Sequence, residues 1–214
     1  MKLKEFSLWG FKLELSESRK FTLLNRCVCA HFERHFDPIE TDAIYRVVVK
    51  LSEPDGRVGT TELSSSVLKY YKGFDFHLFN SLDGFSKKKL LLDTLYESLM
   101  HLCELFGWSK DNFDKAFESV VKENFLNTYS IKKKNNRKKT LIAELVCSHD
   151  SDSFDCVVKI KDRLNREIYS KLLFSEEPDE FMFNPRIGDI KWLSDGTLVY
   201  LKKDKTELER FEFD

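Results

Sequence analysis

Two apolar stripes of helical period dominate the middle of the chain. Leu92, Leu95, Leu99, Leu102 and Phe106 recur at steps of three and four, with Leu91, Tyr96 and Cys103 widening the stripe. That spacing puts them on one face of a 3.6-residue helix. Ser86 stands where a cap would start this helix, and Gly107 where a left-handed residue would end it. Ser109 and Asp111 then open a second helix, on which Phe113, Ala116, Phe117, Val120, Val121 and Phe125 repeat the pattern. The short link predicts an antiparallel helix hairpin with Trp108 at its corner.

Period two rules on either side. Residues 6–15 alternate as a strand with Lys12 and Glu14 on the polar face, 21–36 read as a second strand, and 44–51 as a third. Glu53-Pro54-Asp55-Gly56 is a turn, because Pro presets φ and Gly accepts positive φ. Residues 57–63 then read as the returning strand. Between 64 and 85 the phenylalanines shift from period two to period three, as when a strand passes into a helical turn packed beneath the helices. Beyond Asn127 the alternation returns at 129–134, 138–147, 154–161, 168–174, 189–193, 197–201 and 208–213, with Asn135-Asn136, Asn165 and Ser194-Asp195-Gly196 as turns. The expected fold is α+β: an antiparallel N-terminal sheet, a central two-helix hairpin and a C-terminal antiparallel β-meander. Residues 1–127 and 128–214 form its two lobes, or one continuous domain.

Composition narrows the class. No apolar run approaches the ~20 residues of a membrane span, and the first residues mix Lys and Glu into what would be a signal sequence. Five cysteines are an odd number and suggest reduced thiols rather than a disulfide framework. A soluble, cytoplasmic protein with no membrane partner is expected. The net charge of −1 supplies no global field to draw in nucleic acid.

Chemical signatures are sparse. Cys27, Cys29, His31 and His35 share one parity, but on a strand Cys27 and His31 would stand ~13 Å apart. One ion cannot span that with bonds of about 2.0–2.3 Å, so no metal is expected. His149, Asp150, Asp152 and Asp155 lack the Gly and Glu that a calcium loop needs. No G-x-S-x-G, Walker A, G-x-G-x-x-G or H-E-x-x-H motif occurs, so no catalytic residue and no cofactor is assigned. Two charged segments remain. Lys132, Lys133, Lys134, Arg137, Lys138 and Lys139 surround the Asn-Asn turn but lack interleaved aromatics, which makes them a weak nucleic-acid candidate. Glu176, Glu177, Asp179 and Glu180 adjoin Phe181 and Phe183, combining charge with aromatic anchors in one segment. The leading expectation is a non-catalytic protein-binding protein, for instance one of toxin-neutralising, immunity type. An enzyme or small-ligand carrier with an unrecognised pocket is the alternative.

Overall fold

The computed structural model describes residues 1–11 and 13–213. The class is α+β, as the patterns predict, and the chain divides into two compact units, Met1–Asn127 and Thr128–Asp214.

In the first unit, β1 (Lys2–Leu3) pairs with β3 (Ile39–Glu40). A four-stranded sheet follows the order β2 (Glu5–Gly10), β4 (Arg46–Ser52), β6 (Val67–Gly73), β5 (Thr61–Ser64). Its pairing differs from the antiparallel expectation: β2–β4 and β4–β6 are parallel, and β5–β6 is antiparallel. The cause is the segment read as a strand at 21–36. It belongs to helix α1 (Leu15–His35), which carries the chain back to the edge it left, so that β4 runs in the same direction as β2. The helical signal is present in the sequence: Phe21, Asn25, Val28 and Phe32 are spaced by four, three and four, and all are buried. Residues 57–63 do not return against β4 either; the strand starts at Thr61 and pairs with β6. Lys12, placed on the polar face of the first strand, lies outside the described residues.

After β6 the chain turns through α2 (Phe76–Ser81) into α3 (Gly84–Phe106) and α4 (Asp111–Lys122). Gly107 ends α3 at φ 68°, a left-handed conformation that costs glycine nothing. The cap of α3 is Asp83 rather than Ser86: its carboxylate accepts the Ser86 N–H at 2.8 Å. One face of the sheet (Phe6, Leu8, Val47, Val49, Leu51, Leu68, Tyr70) shares a core with Phe21, Val28 and Phe32 of α1, Leu92, Leu95, Leu99 and Leu102 of α3, and Phe113, Ala116 and Val120 of α4. All the helical cover lies on that face.

The second unit holds two antiparallel meanders. One runs β7 (Thr128–Asn135), β8 (Leu141–His149), β9 (Phe154–Asp162), β10 (Glu167–Glu176); the other runs β11 (Asp189–Trp192), β12 (Thr197–Leu201), β13 (Glu207–Glu212). The short α5 (Glu180–Phe183) links them. Their inward residues, among them Leu145, Val158, Ile160, Phe174, Leu198 and Phe211, form one core. All five cysteines are buried, and burial pushes the thiols of Cys29 and Cys103 up to about 12 and about 11.

Candidate functional site

Strand alternation sends every second residue of β2, β4 and β6 to the face opposite the helices. The parallel register sets Ser7 beside Val48, Trp9 beside Lys50, Arg46 beside Val67, and Val48 beside Lys69. These residues line a shallow depression of about 230 Å³. Three cations therefore share one sheet face with an aromatic ring. The Lys50 ammonium sits 2.9 Å from the centre of the Trp9 ring, a cation–π contact, while the indole stays 49% exposed. Beyond it, Arg57 lies 5.5 Å from the Phe11 ring and 5.4 Å from the Tyr71 ring.

Charge pairing on this face is incomplete. Lys69 is held by Glu62 at 2.7 Å. Among the described residues no carboxylate pairs with Lys50, although Lys50 is only 6% exposed. Burial first, and then the nearby cations Lys69 and Arg46, bring the Lys50 ammonium down to about 8, against a smaller opposing pull from Glu62. Arg46 donates to the Ser7 hydroxyl at 3.2 Å, but its buried Nε makes no hydrogen bond. The sheet face thus presents two cations, Lys50 and Arg46, that no carboxylate among the described residues pairs with.

The segments singled out in the sequence fare differently. On the basic hairpin, Lys133 pairs with Glu144 at 2.9 Å, Lys134 with Asp189 at 2.9 Å and Lys138 with Asp195 at 3.4 Å. Arg137 borders a depression shared with Trp192 and Asp195. The Asn-Asn turn is fixed by Asn136, whose side-chain oxygen accepts the Thr140 N–H at 2.8 Å, and the positive φ falls on Lys139. On the acidic segment, Glu176 pairs with Arg186 and Asp179 caps α5 by accepting the Phe181 N–H at 2.9 Å. Glu177 precedes that cap and Glu180 opens the helix. Phe183 is 4% exposed and stacks on Phe154 with ring centres 3.7 Å apart, whereas Phe181 is 89% exposed. Of the two phenylalanines, only Phe181 is offered to a partner.

The histidines form a separate constellation. On a helix His31 and His35 lie one turn apart on the same face, so the strand-spacing argument against a metal no longer applies. Both rings approach Glu123, the residue that ends α4: His31 Nε2 is 2.7 Å and His35 Nε2 3.2 Å from Glu123 Oε2. Arg34 donates to the same oxygen at 2.6 Å and to Asn127 Oδ1 at 3.1 Å. Burial holds His31 down to about 4. Burial alone would raise Glu123, but hydrogen bonds from His31 and Arg34 prevail and bring it to about 2. Cys27 and Cys29 take no part in this group: Cys29 points its thiol at Asn25 and Cys27 at the Leu24 carbonyl.

No family model, curated protein or solved structure matches this chain.

Proposed function

We propose that this protein works by binding, and that its partner is single-stranded nucleic acid held on the outer face of the β2–β4–β6 sheet. The observation that carries this reading is Lys50, a buried ammonium with no counter-ion among the described residues, lying against a half-exposed tryptophan. A buried charge without a partner costs stability, and a phosphate arriving at the face supplies the missing partner. Trp9 offers a surface on which any base can stack, which suits sequence-tolerant binding. Arg46 and Lys50 share one strand face four residues apart, ~13 Å along the strand. One phosphate cannot meet both, whereas successive phosphates of a single strand can. The overall charge of −1 is no obstacle, because fields from individual charges are screened within ~8–10 Å at physiological salt and the local cations decide.

Fluorescence anisotropy with a labelled, mixed-sequence single strand of ~12 nucleotides tests the reading. Affinity should fall steeply with salt, with a log–log slope near −0.7 per phosphate contact. Trp9→Ala should cost ~1–3 kcal/mol of binding, and Lys50→Gln should weaken binding and flatten the salt slope by about one contact. Lys133→Gln and Arg137→Gln should change neither. Salt-insensitive binding, or loss confined to the hairpin variants, would contradict the sheet face as the site.

A protein partner at the acidic segment, including a toxin of the kind an immunity protein neutralises, is the second reading. It is favoured by the 89% exposure of Phe181 beside Glu177 and Glu180. In that case Phe181→Ala abolishes capture of a basic partner while Trp9→Ala leaves it intact.

A further inference from the structure

We infer that His31, His35 and Glu123 form a binding site for a divalent transition cation, with zinc the best chemical fit. The site is independent of the sheet face. Two histidines four residues apart on one helix can grip a single ion from the same side, as in other helical zinc sites. The third ligand comes from the end of another helix. His31 Nε2, His35 Nε2 and a Glu123 carboxylate oxygen all lie within 4.8 Å of one another. In a tetrahedron with bonds of about 2.0–2.1 Å, ligand atoms stand ~3.3 Å apart. With Glu123 Oε2 2.7 Å and 3.2 Å from the two ring nitrogens, the carboxylate already stands beside both donors, and its rotation would bring Oε1 to an ion held between them.

One further observation points to a missing ligand, and a second shows that a carboxylate donor is available. The buried His35 Nε2 makes no hydrogen bond, even though a carboxylate oxygen is 3.2 Å away. Glu123 Oε1 accepts no hydrogen bond from any described residue, while Oε2 receives three approaches. Arg34 can therefore keep Oε2, holding the carboxylate in place as outer partners of metal ligands do, while Oε1 turns to the ion. Arg34 also sets the main opposing effect, since its positive charge lowers affinity for any cation. Each imidazole must present Nε2 as a lone pair and carry its proton on Nδ1. Two nitrogens and one carboxylate oxygen suit zinc, copper, nickel or cobalt better than magnesium or calcium, which prefer all-oxygen shells. The fourth position would be left to water or to a donor from outside the chain.

The test uses the full chain stripped by chelator and titrated with zinc chloride, read by calorimetry, and with cobalt(II) chloride, read by its visible absorption. The expected result is one equivalent of zinc and the visible bands of a low-symmetry cobalt(II) centre. His35→Gln and Glu123→Gln should each weaken zinc by at least about tenfold, the effect that even outer-shell changes produce at metal sites. Zinc should raise the melting temperature of the wild type more than that of either variant. His35 is only partly buried, so His35→Gln keeps the test open if Glu123→Gln folds poorly. Absence of zinc binding, or binding that neither variant weakens, would overturn the assignment.

Discussion

At the scale of single residues, the functional reading turns on Lys50 and Trp9. A lysine that is buried against an indole and paired with no carboxylate among the described residues is a cost to the fold, so Lys50→Met should raise the unfolding free energy by on the order of 1 kcal/mol, while weakening nucleic-acid binding. A variant less stable than the wild type would show that the ammonium is structurally satisfied. Protonation gives an independent check. The unfolded lysine titrates near 10.5 and the folded one near 8, so across that window the unfolded chain binds the extra proton and stability rises with pH. Binding moves the opposite way: affinity for a single strand should fall as pH rises through about 8, because the neutral amine no longer meets a phosphate. A titration from pH 7 to pH 9, followed by both melting and anisotropy, reads the two signs together. Phe183 and Phe181 form a second contrast. Phe183→Ala removes a ring stacked on Phe154 in the core and should cost ~3–5 kcal/mol, whereas Phe181→Ala should leave the melting temperature nearly unchanged.

Elements show where the sequence was legible. The stripe on α3 is completely buried at Leu92, Leu95, Leu99 and Leu102, so Leu99→Ala should lower stability by ~2–5 kcal/mol in denaturant titration. The last three strands follow their alternation because each is short, single-period and bounded by a turn. Helix α1 was hidden by coincidence: Cys27, Cys29 and His31 share a parity that imitates a strand, although the stripe from Phe21 to Phe32 already had helical spacing. A strand in place of α1 would make the N-terminal sheet antiparallel and set the histidines on a strand instead of a helix. The continuous run Val47-Val48-Val49 was the available signal for a central parallel strand, since all three valines are buried even though helices cover only one face. The α3 cap shows a finer error. Ser86 is itself a reasonable capping residue, but Asp83 three residues earlier takes the position, so Asp83→Ala should lower the melting temperature more than Ser86→Ala.

At the scale of the molecule, the site comes from residues remote in sequence. Trp9, Arg46, Lys50 and Lys69 belong to three strands and converge only because α1 returns β4 to a parallel register beside β2. No local motif could have announced them, whereas the basic hairpin was conspicuous in the sequence, and three of its six cations are paired with carboxylates. A buried ammonium against an aromatic ring, not the number of charges, separates the two surfaces. The most direct measurement is therefore one that locates the ligand: amide and indole NMR shifts recorded while an unlabelled single strand is added to the full chain. The largest shifts are expected at the Trp9 indole and at the backbone of Ser7, Arg46, Lys50 and Lys69, with little change at Lys133 to Lys138. Shifts centred on the hairpin or on Phe181, or none at saturating strand, would contradict the sheet face as the site.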